Sequence, residues 1–284
     1  MDTVELIIPA PKRRHQVLIA RLEEFGFSGF QTDEDQLKAY ISADEWSDGK
    51  SQFVASWLQK QGVDGELSER VIEAKNWNEA WEQSVRPVRA GPFWIKPTWA
   101  EAPAEADPGN VLAIDPKMSF GTGYHESTRL VLRLLPEYVD GEARVLDAGT
   151  GTGVLAIAAV RLGAESVIAF DTSRWAEENA AENIALNEVA DRIEVRRGTI
   201  DVVSETGFDC ILANIERDVL IDLLPACAEK INPGGSIILS GLLDTDRSAI
   251  LEAAAEQNLH PVDEVRENEW WCVVLSDGHD LQRV

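Results

Sequence analysis

Two periods of hydrophobic and polar alternation run along the chain, and the switch between them divides it. Up to about residue 74, short runs of period two alternate with amphipathic helical stretches. Residues 4–8 (Val-Glu-Leu-Ile-Ile) predict a strand, and residues 11–25 a helix with Val17, Leu18, Leu22 and Phe25 on one face. Residues 29–32 and 37–42 predict two strands joined by the acidic turn Asp33-Glu34-Asp35. Residues 51–61 predict a second helix with Phe53, Val54, Trp57 and Leu58 inward, and residues 67–74 a fourth strand. The order β-α-β-β-α-β predicts a small ferredoxin-like α+β domain over residues 1–74.

Residues 75–110 have another texture. Trp77, Trp81 and Val85 fall at helical spacing, Arg86-Pro87 and Gly91-Pro92 interrupt the chain beyond them, and residues 103–109 are rich in Pro, Ala and acidic side chains. This predicts a helical, Trp-rich connector ending in an exposed loop. Its tryptophans are read as docking it onto its neighbours, with a partner-binding stripe as the alternative. From residue 111 to the end, apolar strands alternate with helices. Strands are expected at 144–147, 166–170, 193–196, 210–213 and 236–240, and a final, antiparallel one at 269–275. Helices are expected at 129–135, 154–162, 175–187, 219–231 and 245–257. Such alternation implies an α/β fold, a doubly wound, mostly parallel sheet covered on both faces.

Composition narrows the function. No apolar run approaches the roughly 20 residues needed to cross a bilayer, and the N-terminus lacks the pattern of a secretory signal, so a cytoplasmic protein is expected. Three well-separated cysteines without a C-x-x-C pair point to neither a disulfide framework nor a zinc site, and no metal is expected. The net charge of −24 disfavours direct nucleic-acid binding, which is driven by Lys and Arg displacing counterions. It would attract a basic protein partner. With only eight Lys among 26 basic residues and acids spread throughout, the charge also fits a protein kept soluble in concentrated salt. Nothing in the pattern signals an oligomer, and a monomer is expected.

The strongest chemical signal is Asp147-Ala148-Gly149-Thr150-Gly151-Thr152-Gly153, set between a hydrophobic strand and an Ala-rich helix. Glycines there let the backbone turn sharply and approach a ligand against helix N–H groups. The G-x-G-x-G spacing departs from the G-x-G-x-x-G of dinucleotide folds. Asp171 ends the next strand, 22 residues after Gly149, where a carboxylate can accept hydrogen bonds from ribose hydroxyls. Asp147, Gly149, Gly151 and Asp171 are therefore candidate cofactor-binding residues. A second motif, Asp115-Pro116-Lys117-Met118-Ser119-Phe120-Gly121-Thr122-Gly123-Tyr124-His125-Glu126-Ser127-Thr128, suits a loop folding over a bound cofactor. A third, Asn214-Ile215, directly follows a strand, where α/β sheets bind ligands.

Strand–D-x-G-x-G-x-G–helix–strand–D resembles the S-adenosylmethionine-dependent methyltransferases. Joined to D-P-x-x-x-F-G-T-G-x-H-x-[ST]-T, A-N-I and the W-I-x-P-x-W at residues 94–99, it resembles the PrmA family along nearly the whole chain. The resemblance implies a seven-stranded methyltransferase sheet closed by an antiparallel hairpin, with S-adenosyl-L-methionine as cofactor. It also implies trimethylation of amino groups, lysine and N-terminal, on large-subunit ribosomal protein eleven, which the small N-terminal domain recognises. By that resemblance Thr128, Gly149, Asp171 and Asn214 contact the cofactor or the catalytic pocket, with Asn214 as the catalytic residue. The chain departs from the family pattern at Ser127, at Glu216-Arg217 and at Thr172-Ser173-Arg174. Two other readings stand beside this one. The acceptor is another protein or a small molecule, although the N-P-P-[YF] marker of amide methylation is missing. Or the chain is a non-catalytic, nucleoside-binding module of ribosome assembly, against which the intact Asn214 and glycine motifs speak.

Overall fold

The computed structural model describes residues 3–63, 67–72, 86–117 and 119–278, and the chain divides into two compact units, 1–80 and 81–284. The predicted helix around Trp77 and Trp81 lies outside the described residues.

The first unit runs β1 (Thr3–Pro9), α1 (His15–Glu24), β2 (Gly29–Thr32), β3 (Gln36–Ser42), α2 (Asp48–Lys60) and β4 (Ser68–Ile72). Its antiparallel sheet has the order β2-β3-β1-β4, the ferredoxin-like arrangement. Alternation in β1 and β3 puts Val4, Leu6, Ile8, Leu37, Ala39 and Ile41 into one core. Two expected inward residues point elsewhere. A 3-10 turn precedes α1, so the α-helix proper starts at His15 and its buried stripe is His15, Leu18 and Leu22, which leaves Val17 exposed. In α2 the buried pair is Val54 and Leu58; Phe53 is exposed and packs edge-on against Phe25, ring centroids 5.1 Å apart.

The second unit opens with three short strands, β5 (Val88–Ala90), β6 (Phe93–Lys96) and β7 (Val111–Ala113), which form a sheet of their own. The sequence pattern assigns residues 86–110 to the connector. In the structure Ala90, Phe93 and Ile95 belong instead to the core of the second unit, because β6 pairs in parallel with β7 from across the Pro-rich loop.

There follow α3 (Glu126–Tyr138), β8 (Arg144–Ala148), α4 (Val154–Arg161), β9 (Ser166–Asp171), α5 (Arg174–Leu186) and β10 (Ile193–Arg197). Then come β11 (Phe208–Asn214), α6 (Arg217–Lys230), β12 (Ile231–Leu243), α7 (Arg247–Glu256), β13 (His260–Glu267) and β14 (Trp270–Ser276). The seven-stranded sheet has the order β10-β9-β8-β11-β12-β14-β13. β14 is antiparallel to both its neighbours, and the remaining pairs are parallel. β13, half of the closing hairpin, is not legible in the sequence: its charged run Asp263-Glu264-Val265-Arg266-Glu267 hides the alternation. One face of the sheet is covered by residues of α3, α4 and α5, the other by α6 and α7, and the central strands are buried on both sides. Strand order reverses between β8 and β11. The crevice beyond their C-terminal ends at such a reversal is where open α/β sheets bind ligands.

Candidate active site

A cleft of about 740 Å³ opens at that reversal point, within the roughly 300–1,000 Å³ typical of small-molecule sites. Its floor is the turn after β8. Gly149 and Gly151 both have positive φ, 73° and 55°, a conformation that strains any residue with a Cβ. A side chain at Gly151 would also collide with the carbonyl of Phe120, and one at Gly149 with the side chain of Ile215. Both glycines thus allow neighbouring loops to close on the turn.

The end of β9 supplies Asp171. Its Oδ2 accepts the N–H of Gly151 at 3.1 Å and its Oδ1 that of Ser173 at 2.9 Å, so the carboxylate locks the glycine turn to the start of α5. Phe170, Ile200, Val219 and Leu223 make the apolar part of the wall. From β11 comes Asn214, 9% exposed; its Nδ2 donates to Thr128 Oγ1 at 3.2 Å, whereas its Oδ1 has no partner in the protein. Phe120, His125 and Trp270 line the cleft as well. His125 lies edge-on between the other two, with ring centroids 5.2 Å from Phe120 and 4.3 Å from Trp270.

Gly149, Gly151, Asp171 and Asn214 therefore meet in one cleft, as their motifs lead one to expect. Thr128 and Asp147 do not line it: both are fully buried, Thr128 behind Asn214 and Asp147 beneath the glycine turn, where Thr150 donates to its Oδ2 at 2.6 Å. Burial pushes the Asp147 carboxyl up to about 6, against the opposing effect of the Thr150 bond. An unfolded Asp titrates near 3.9, so between those values the folded chain holds more protons than the unfolded one. Ionising Asp147 consequently costs stability as pH rises from about 4 through 6. Urea melts should show wild-type stability falling relative to Asp147→Asn across that window; parallel curves for the two proteins would refute the assignment.

Three features of the site carry no motif. The wall residues Thr199, Ile200, Asp222 and Leu223 are the first, and only their place after β10 or on α6 could have flagged them. Gly241, inside the register shift of β12 between Leu239 and Leu242, admits the carbonyl of Ile215 where a Cβ would clash at 2.6 Å. The third is a ladder of buried asparagines, Asn179, Asn183 and Asn187, spaced four apart along α5 and its C-cap. Asn187 exchanges two bonds with the Ala113 backbone, at 3.0 and 2.7 Å. Asn183 accepts the Asp115 N–H at 2.9 Å and donates to the Thr152 carbonyl at 2.9 Å. Asn179 donates to the Asp115 carbonyl at 2.9 Å. Together with Thr152, whose hydroxyl donates to the Gly121 carbonyl at 2.7 Å, they fasten the 115–125 loop to the glycine turn.

Residues 8–277 match the family described as ribosomal protein L11 methyltransferase (PrmA). The chain belongs to that family. A ribosomal protein L11 methyltransferase of Chlorobaculum tepidum is 36% identical over 278 residues, covering 96% of each chain. One from Symbiobacterium thermophilum is 41% identical over 209 residues, covering 73% of this chain and 67% of that one. Among solved structures, a ribosomal protein L11 methylase from Lactobacillus delbrueckii subsp. bulgaricus aligns with a TM-score of 0.62 at 31% identity, covering 68% of this chain and 98% of that one. A PrmA-family enzyme is a methyltransferase that uses S-adenosylmethionine, and the donor set of the cleft fits that cofactor. Asp171 keeps lone pairs for hydroxyl donors, the glycine turn admits close backbone approach, and the apolar wall suits a flat heterocycle. Among the described residues no helix is long and apolar enough to cross a membrane, and no cluster of His, Cys, Asp and Glu could hold a metal ion.

Proposed function

We propose that this chain methylates amino groups of ribosomal protein L11, on lysine side chains and at the N-terminus and up to the trimethyl state, with Asn214 holding the acceptor amine. The names of its relatives support the substrate. The unpartnered Asn214 oxygen supports the site most directly, because a buried acceptor without a bond requires a donor from elsewhere. In this reading Asp171 holds the ribose, and Gly149 and Gly151 carry the amino-acid portion of the cofactor. Thr128 fixes the Asn214 amide through its Nδ2, so that Oδ1 is the atom turned to the acceptor. Asp147 acts one layer back, by fixing the turn through Thr150.

Bound S-adenosylmethionine supplies an electrophilic methyl on a sulfonium. The protein must deliver a neutral amine in line with it. A free Lys, with a pKa of about 10.4, is almost wholly protonated near neutrality. Desolvation against Phe120, His125 and Trp270 lowers that value and releases the proton to water. Asn214 Oδ1 then accepts an amine N–H and aims the lone pair. The small N-terminal unit is assigned to recognition of the substrate protein, and the active species is a cytoplasmic monomer that binds no nucleic acid directly. Recombinant ribosomal protein L11 incubated with the chain and cofactor, at low and high salt, should gain intact mass in methylene steps. Unchanged mass at every salt concentration, with cofactor binding confirmed by calorimetry, would refute the assignment of the acceptor.

A further inference from the structure

The cleft is electrostatically one-sided. Asp171, Glu216 and Asp222 line it, and among the described residues no Lys or Arg does. Asp171 is engaged at both oxygens by backbone N–H groups. The Glu216 and Asp222 side chains are exposed and make no hydrogen bond or ion pair among the described residues. Glu216 occupies the N-cap of α6 without a capping bond. Arg217 beside it is paired to Asp218 at 2.7 Å and Asp246 at 3.2 Å, and forms no ion pair with Glu216. Two positions before Glu216 stands Asn214, more than nine-tenths buried, with its oxygen unpartnered and lining the same cleft. An unpaired acceptor and two unpaired carboxylates in one cleft share one complement, a cation that carries N–H donors.

We infer that Glu216, assisted by Asp222, selects the acceptor by charge: the cleft takes cationic alkylamines, holding the ammonium against the Glu216 carboxylate before the neutral amine docks on Asn214. The inference rests on the amine methylation proposed above and adds what recognises the amine. An alkylamine is cationic near neutrality before methylation and, by the same chemistry, after one or two methyl groups are added. One carboxylate can therefore recapture each partly methylated product, whereas a neutral amide or hydroxyl acceptor gains nothing from it. Because the contact is exposed, salt weakens it: the screening length falls from about 10 Å at 0.1 M to about 3 Å at 1 M.

The test is steady-state methylation of ribosomal protein L11 by wild type, E216Q, E216D and D222N at about 0.2 and about 2 M salt, with calorimetry of S-adenosylmethionine. E216Q is expected to raise the KM for the protein about fivefold at the lower salt and less at the higher, the scale of one exposed ion pair. Its kcat should stay within about twofold of wild type, its cofactor affinity should be unchanged, and mono- and dimethylated products should accumulate. E216D should restore most of the loss, and D222N should show a smaller effect of the same kind. A KM for E216Q equal to wild type, an equal rise at both salt concentrations, or a matching loss of cofactor affinity would each overturn the inference. If the wild-type chain leaves ribosomal protein L11 unmethylated, the amine reading itself fails and this inference falls with it.

Discussion

Replacing Asn214 by Ala should cut turnover about 10²–10³-fold while leaving S-adenosylmethionine bound. The side chain ends β11 at the strand-order reversal, tethered by Thr128 on its nitrogen and unpartnered on its oxygen. Removing it deletes the acceptor that orients the amine, and a misplaced nucleophile typically costs about 10²–10³ in rate. The cofactor keeps Asp171 and the glycine turn, so its dissociation constant should move by less than about threefold. Single-turnover kinetics separates the two quantities. Wild-type turnover in the variant would remove Asn214 from the mechanism, and lost cofactor affinity would give it a different role. Thr128→Val, which removes only the tether, should show a weaker form of the same defect.

The second large effect is expected at Asp171. Its carboxylate has two functions in the structure, closing the glycine turn through the Gly151 N–H and holding Ser173, the N-cap residue of α5, through its N–H. Asp171→Ala removes both, along with the acceptor assigned to the ribose. Hydrogen bonds to a charged group are worth about 1.5–3 kcal/mol each, so cofactor affinity should fall about 100-fold. At saturating cofactor kcat should recover most of its value, because the acceptor pocket is untouched. An unchanged dissociation constant in calorimetry would refute the ribose assignment.

These two residues were legible in the sequence because their signals are local: a glycine spacing, an acid at a strand end, an Asn after a strand. Their side-chain bonding is less local: Asp171 reaches Ser173 and Gly151, and Asn214 is held by Thr128, 86 residues away, so it is the sheet that brings the separate motifs together at its reversal point. Depth was not legible. Thr128 and Asp147 belong to the same motifs as the cleft residues yet lie one layer behind, and only packing decides which side of a turn faces the ligand. The small β5-β6-β7 sheet was missed because strands of three or four residues are too short to display a period, and their pairing spans a Pro-rich loop. The asparagine ladder carries no signal in the sequence, because partners at Ala113 and Asp115, 74 and 68 residues away, leave no trace in local spacing. Asp222 and Ile200, and with them the acidic and apolar walls of the cleft, belong to no motif and are marked only by their place on α6 and after β10.

Transfer of methyl groups to amine nitrogen is the reaction assigned to this cleft. The most direct measurement of it is tandem mass spectrometry of ribosomal protein L11 after reaction with S-adenosylmethionine labelled in its methyl group, run beside the Asn214→Ala variant. Label is expected on lysine side-chain and N-terminal amino nitrogens with the wild-type chain, and at most a trace of it with the variant over the same time. Label on a carboxylate, an amide or a hydroxyl, or equal labelling by the two proteins, would contradict the assignment.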